Sequence, residues 1–321
     1  MLLFAGIDGG GSKTLAVVVN ELGQEVGRGF APDSNYQVLM THGHSAQRAA
    51  EIAAQRAFEA ISRALPAECA GPVAAFAGLA GANDPSDLIL MHTALADTKF
   101  CQPHKFQLVN DAELILYGLD RMQGLGLIAG TGSIAVGRDS SGKKGRAGGW
   151  GYILGDEGSG YALGRATLQA IVQAADGRGP ATKLLPLVLN EWYLARPEDL
   201  LKAVYNDLDN RNRRIAQLAR LVFVAAREND LVAQKLVKKA ASALASAVMA
   251  VYQQLDFADK PAPALGLGGG LLLHTPELKN TMLKELEQLG LKPTKVVEIE
   301  EPAKAAALAC RQYCLQEATS K

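Results

Sequence analysis

The chain has 321 residues, of which 48% are hydrophobic and 21% charged, and its 33 lysines and arginines are balanced by 33 aspartates and glutamates. Such a length suits two α/β domains or one large one, because a single core stops growing beyond roughly 250–300 residues. A net charge of zero lacks the basic footprint that nucleic acid or an anionic membrane surface demands, so neither is expected as a partner.

Leu2 to Val19 reads as strand, glycine turn and strand: Leu3, Phe4 and Ile7 are apolar, Gly9-Gly10-Gly11 interrupts, and Leu15-Ala16-Val17-Val18-Val19 resumes. Asn20 to Gln24 is a turn and Glu25 to Phe30 a third strand. Ser45 caps a predicted helix running to about Leu65, with Ala49, Ile52, Ala53, Phe58, Ile61 and Leu65 at helical spacing. Pro72 to Ala77 and Phe106 to Val109 read as buried strands, ending in Gly78-Leu79-Ala80-Gly81 and in Asn110-Asp111. From Leu125 the opening pattern begins again, with apolar Leu125 to Ala129, the turn Gly130-Thr131-Gly132-Ser133, and the strand Ile134 to Gly137. Gly9-Gly10-Gly11-Ser12 matches this second turn position for position, so one supersecondary unit is used twice, about 120 residues apart. The repeat predicts two similar domains, each offering a hairpin tip to one cleft. Helices follow over Leu184–Leu194, Pro197–Tyr205, Arg214–Arg227 and Leu231–Leu255. A strand from Ala264 then runs into Gly268-Gly269-Gly270, a helix starts at Thr275 or Pro276, and Val296–Ile299 and Ala303–Gln316 read as a last strand and helix.

Glycine turns between strands expose consecutive backbone N–H groups where no side chain blocks an anion, a geometry that suits phosphate oxygens. Gly10, Gly11, Ser12, Lys13 and Thr14 make one such turn, Gly130, Thr131, Gly132 and Ser133 another, and Gly268, Gly269 and Gly270 a third cluster. The pattern is neither a G-x-x-x-x-G-K-[ST] loop nor a dinucleotide fingerprint, since strand rather than helix follows the glycines. Asp8 sits where its carboxylate can reach Mg²⁺ on bound phosphates, directly or through water, or can cap the turn. Asp111, after a strand, can accept a proton from a substrate hydroxyl attacking phosphorus, or can cap the following helix. In the run Gly148 to Gly160, Gly149 exposes backbone, Trp150 and Tyr152 offer flat faces of the kind that pack on sugars, and Asp156 and Glu157 accept hydrogen bonds from hydroxyls. This run abuts a helix start at Ser159, and its bland alternative is a loop packed on its own glycines. Asn35 is a further candidate for a sugar hydroxyl, or part of an ordinary turn.

The apolar run before Asp8 is too short for a signal peptide, and no stretch reaches the roughly 20 apolar residues of a membrane span. Cys69, Cys101, Cys310 and Cys314 lack zinc spacing, and the last two, one turn apart, read as packed thiols in a reduced, cytoplasmic setting. His42, His44, His92, His104 and His274 show no metal spacing beyond the His42/His44 pair.

Ile7-Asp8-Gly9-Gly10-Gly11-Ser12-Lys13-Thr14, Val109-Asn110-Asp111-Ala112, Gly130-Thr131-Gly132-Ser133, Gly148-Gly149-Trp150-Gly151 and Gly155-Asp156-Glu157-Gly158-Ser159-Gly160 together resemble the BadF/BadG/BcrA/BcrD ATPase family. Within it, they are most similar to the N-acetylglucosamine kinases and the bacterial glucosamine kinases. Gly268-Gly269-Gly270 resembles the family's adenosine motif, though Leu267 stands where a Ser is often found, and Glu301 to Ala306 resembles its closing helix. The resemblance implies a duplicated ribonuclease-H-like α/β fold of the actin-like ATPases, with two domains flanking a cleft that holds ATP and Mg²⁺. The domains expected are 1–117 joined by the closing helix 302–321, and 118–301 with a helical insertion. By the same resemblance Asp111 is the base, Ser12 and Thr131 lie near the phosphates, Asp8 lies near Mg²⁺, and Asn35, Trp150 and Asp156 lie at the sugar. A homodimer fits the family. The expected reaction is phosphorylation of N-acetylglucosamine at the 6-hydroxyl, since backbone bared by Gly148-Gly149 can bond an acetamido group whose methyl Trp150 shields; glucosamine is the alternative.

Three rivals are weaker. ATPases that activate radical dehydratases hold an iron–sulfur cluster on paired cysteines, a spacing these four cysteines lack. A sugar sensor without catalysis has no need of a base at Asp111. Repressor-type sugar kinases carry a dense Cys/His zinc cluster, which this sequence does not have.

Overall fold

The computed structural model describes residues 2–69, 71–72, 74–81, 84–98, 106–207, 210–257 and 262–319. Cys101 and His104 lie outside them. The chain divides into two compact units, Met1–Gln123 with Ile299–Lys321, and Gly124–Glu298. Met122 and Ile299 belong to the first unit for a packing reason: Met122 lies on the cluster around Phe4 and Tyr117, and Ile299 fills the space left at Gly118.

In the first unit β1 (Leu3–Gly9), β2 (Thr14–Asn20) and β3 (Glu25–Ala31) form an antiparallel meander. Two helices, α1 (Tyr36–Thr41) and α2 (Ala46–Ala64), lead to β4 (Ala74–Leu79), and α3 (Pro85–Asp97) leads to β5 (Phe106–Asn110). Strands β4 and β5 run parallel to β1, giving the order β3-β2-β1-β4-β5. On one face α2 buries Ala49, Ala53, Ala57, Ala60 and Ala64, one small side chain per turn. On the other, the C-terminal helix Pro302–Thr319 sets Ala303, Ala306, Ala307 and Cys310, at helical spacing, against Phe4, Val17 and Phe76. Cys310 is buried and Cys314 half-buried.

The second unit repeats the plan. Its strands are β6 (Gly124–Ala129), β7 (Ser133–Arg138) and β8 (Lys144–Gly148). The insertion follows as α4 (Gly151–Leu154), α5 (Gly160–Ala175), α6 (Leu184–Glu191), α7 (Leu200–Tyr205), α8 (Arg211–Gln217), α9 (Ala219–Arg227) and α10 (Leu231–Gln254). Then come β9 (Leu265–Gly268), α11 (Gly270–Leu273), α12 (Pro276–Gln288) and β10 (Val296–Glu298). The order β8-β7-β6-β9-β10 is that of the first sheet, three antiparallel strands and then two parallel ones. The duplication read from the glycine turns is thus a duplication of the whole sheet, and each sheet has the ribonuclease-H-like order.

Asp139 closes the β7–β8 turn and is 1% exposed. Its carboxylate accepts from the Ser141 hydroxyl at 2.6 Å, the Ser141 amide at 2.9 Å, the Lys143 amide at 3.1 Å and the Asp256 amide at 3.2 Å. These donors, the Ser141 hydroxyl foremost, hold its pKa down to about 2, from an ordinary 3.8. A depressed carboxyl contributes stability that is present above the unfolded value and is lost as pH falls toward the folded one. Asp139→Asn should therefore melt several degrees below wild type at pH 7, with the gap narrowing from pH 4 to pH 3. An equal gap at every pH in a calorimetric series would contradict this.

Candidate active site

Strands β1, β4 and β5 are parallel, so their carboxyl ends share one edge of the first sheet, with Asp8 opposite Gly78 and Gly78 opposite Val109. Asp8 stands at that edge on β1, and Asp111 follows β5 directly, opening a 3₁₀ helix over Asp111–Gly118. The cap of this helix is Asn110, whose side-chain oxygen accepts from the Ala112 amide at 3.1 Å. The capping alternative for Asp111 therefore belongs to its neighbour. Between the two carboxylates Gly78 has no side chain, and a Cβ there would lie 2.9 Å from the Asp111 Cα. The helix backbone is thereby set directly on β4.

Burial first, then the charge of Asp111, pushes the Asp8 carboxyl up to about 7, against the lowering pull of Lys13. Two carboxylates that repel each other at a strand edge are a place where a hard cation is welcome. No group of three or more His, Cys, Asp or Glu among the described residues builds a protein-only metal cage. This donor set fits Mg²⁺, which keeps waters and takes phosphate oxygens beside one or two carboxylates.

The two turns differ by one residue from the match read in the sequence. Gly9 pairs with Thr14 across the first, while Ala129 pairs with Ser133 across the second, so the first turn is longer. Thr14 and Ser133 are the residues that open the second strand, and both are buried. Their hydroxyls bond inside: Thr14 Oγ1 donates to the Pro32 carbonyl at 2.7 Å and lies in hydrogen-bond contact with Ser34 Oγ at 2.9 Å, and Ser133 Oγ donates to the Glu157 carbonyl at 2.8 Å. The sequence offers these two hydroxyls as phosphate donors; in this structure they bond within the protein. Gly11, Ser12, Lys13 and Thr131 are exposed, and Gly10, Gly130 and Gly132 half-buried. Lys13 Nζ lies 5.1 Å above the Phe30 ring. Asn35 is the N-cap of α1, accepting from the Val38 amide at 3.1 Å. Its amide nitrogen lies 3.6 Å from where a Gly11 Cβ would stand, so it borders the first turn.

In the second unit the glycine turn and the tryptophan loop are one hydrogen-bonded body. The Gly149 amide donates to the Ser133 carbonyl at 3.0 Å, Gly160 to Gly130 at 2.8 Å, and Tyr161 to Thr131 at 3.1 Å. The Asp156 carboxylate lies against the turn, its Oδ2 2.8 Å from where a Gly132 Cβ would stand. Burial raises its pKa, opposed by the Ser133 and Gly151 amides that donate to it. Asp156 thus braces the turn, a role the sequence reading did not give it. Glu157 instead lines a cavity of about 330 Å³ with Leu154, Arg165 and Lys239. Trp150 stands 69% exposed, its ring 5.5 Å from the Arg146 guanidinium. Gly269 and Gly270 adjoin the turn, the Gly270 amide lying 3.9 Å from where a Gly130 Cβ would stand, and Gly268 pairs with Ile128.

The model of the BadF/BadG/BcrA/BcrD ATPase family matches residues 5–308. The chain belongs to this family. It is 31% identical over 314 residues to the N-acetylmuramic acid/N-acetylglucosamine kinase of Clostridium acetobutylicum, covering 96% of this chain and 98% of the relative. It is also 31% identical over 278 residues to the N-acetyl-D-glucosamine kinase of Dictyostelium discoideum, covering 84% and 85%. Among solved structures, a glucokinase of the ROK family from Streptomyces griseus, bound to glucose and AMPPNP, superposes with a TM-score of 0.54 at 17% identity, covering 98% and 99%. The fold is that of the actin-like ATPases, and membership in the family makes ATP the nucleotide.

Proposed function

We propose that this chain is an ATP-dependent amino-sugar kinase that phosphorylates N-acetylglucosamine at its 6-hydroxyl. The observation that carries the reading is the carboxylate pair at one strand edge, with Asp111 relieved of capping by Asn110. The substrate hydroxyl oxygen attacks the γ-phosphorus as its proton passes to an Asp111 carboxylate oxygen. The bond from that phosphorus to the bridging oxygen breaks, and ADP leaves with the electron pair. Asp8 would hold Mg²⁺, which when bound neutralises charge on the phosphates. Ser12 and Thr131, with the amides of their turns, take phosphate oxygens.

The names of both relatives, each a kinase of N-acetylated sugars, support the N-acetyl substrate. So does the loop itself. A free amine at C2 is charged and calls for a carboxylate, yet Asp156 accepts from two amides and Glu157 lines a cavity with Leu154, Arg165 and Lys239. Trp150 is left as an exposed platform for the acetamido methyl, a contact worth about 1–3 kcal/mol. In a coupled ADP-release assay over a panel of hexoses and amino sugars, kcat/KM for N-acetylglucosamine should exceed that for glucosamine by about tenfold or more. Trp150→Ala should collapse that ratio. Glucosamine clearly ahead, with the ratio unmoved in Trp150→Ala, would overturn the acetamido reading.

A further inference from the structure

Arg146, on β8, touches every part of the segment that presents Trp150. Its Nε donates to the Gly148 carbonyl at 3.3 Å and its Nη2 to the Gly149 carbonyl at 2.6 Å. Its guanidinium carbon lies 5.5 Å from the Trp150 ring. Gly148 and Gly149 are both left-handed, at φ 75° and 70°, and a Cβ on Gly149 would meet Ile134 Cδ1 at 2.6 Å. Two successive left-handed residues turn consecutive carbonyls onto the guanidinium fork. Beyond Trp150, a Cβ on Gly151, at φ 79°, would have nothing within 4 Å, and the Gly151 amide donates to Asp156.

The base of Arg146 is itself fixed. β8 is an edge strand, and the Gln254 side chain, at the end of α10, meets its backbone. The Arg146 amide donates to Gln254 Oε1 at 3.0 Å, and Gln254 Nε2 donates to the Arg146 carbonyl at 3.0 Å. One side chain therefore ties a helix-anchored strand to two loop carbonyls and one aromatic face.

We infer that Arg146 is a positioning residue for the sugar: it holds Gly148–Trp150 in the shape that presents the tryptophan, and acts on substrate only through that loop. The inference rests on the reading of Trp150 as a sugar platform. A planar fork can reach both carbonyls and lie over the ring at once, whereas a lysine ammonium is a compact point charge without that fixed fork.

The test measures Arg146→Ala and Arg146→Lys for KM of N-acetylglucosamine and of ATP. In parallel, Trp150 emission is recorded in a Trp192→Phe background, which leaves it the only tryptophan of the two in the chain. A loop released from its clamp should raise the sugar KM by about 10- to 100-fold and leave the ATP KM within about twofold. Acrylamide quenching of Trp150 should change. Millimolar guanidinium should restore part of the sugar affinity of Arg146→Ala, while Arg146→Lys should remain impaired. Sugar and ATP KM moving together, or neither moving, with no guanidinium rescue, overturns the clamp. If the wild type phosphorylates no sugar on the panel, the platform reading has failed separately. The clamp then stands or falls on whether Trp150 quenching changes in Arg146→Ala and returns with guanidinium.

Discussion

Asp111→Asn is expected to lower kcat by about 10²- to 10⁴-fold, the range over which a positioned general base contributes, while KM for the sugar stays within a few-fold. Asparagine keeps the size and hydrogen-bonding of the side chain but cannot take the proton of the attacking hydroxyl. The helix beneath it should be undisturbed, because the cap is Asn110 and the packing comes from buried Ala112, Leu114, Ile115 and Leu116. An unchanged melting temperature would separate a chemical loss from a structural one. A loss of kcat with KM preserved means that the interaction removed is made in the transition state. Turnover within a few-fold of wild type would take Asp111 out of that role.

The same site shows how far the sequence could be read. Asp8, Asp111 and both glycine turns were visible because each lies where an apolar strand stops and polar or glycine residues begin. The repeat of that transition also announced the second sheet. What could not be read was which polar atoms face inward. Thr14 and Ser133 look like turn hydroxyls in one dimension; they are the first strand residues, and their side chains are buried, Thr14 beside Pro32 and Ser34 and Ser133 beside Glu157. The extra residue in the first turn leaves no mark in the Gly-Gly-Gly-Ser and Gly-Thr-Gly-Ser wording. Asn35 was legible as a polar loop residue but not as the cap of α1, a helix of six residues too short for a periodic pattern. Helix α3 was missed although Asp84-Pro85 is a start signal, since Leu88, Ile89, Leu90 and Met91 are consecutive rather than spaced. β8 was missed because Lys144-Gly145-Arg146-Ala147-Gly148 lacks β-branched and aromatic residues; its pairing with β7 comes from the sheet. Arg146 had one signal, an arginine shortly before Gly-Gly-Trp, and that acquires meaning only once Gly148 and Gly149 are seen to be left-handed.

Asp8→Ala is expected to lower activity by about 10²-fold or more at fixed Mg²⁺, an effect of the order seen when one stabiliser of transition-state charge is removed, and to do so without weakening the sugar. Its more specific signature lies in pH. With the Asp8 carboxyl pushed up to about 7 by burial and by Asp111, a proton competes with the metal for the carboxylate below that pH. The sign follows: metal binding needs the ionised form, so apparent affinity for Mg²⁺ is level above about pH 7 and weakens below it. The limit is about tenfold per pH unit for one competing proton. Titrations of Mg²⁺ in the presence of a non-hydrolysable ATP analogue, from pH 5.5 to 8.5, should trace this curve in wild type and a flatter one in Asp8→Ala. Asp111→Asn adds a second constraint. Removing its charge removes one of the two causes that raise Asp8, so the bend in the Mg²⁺ curve should move to lower pH even though Asp111→Asn is nearly inactive. A bend that stays in place in Asp111→Asn would mean that the two carboxylates do not share the site. A wild-type curve with no bend between pH 5.5 and 8.5 would remove Asp8 as the carboxylate that meets the metal.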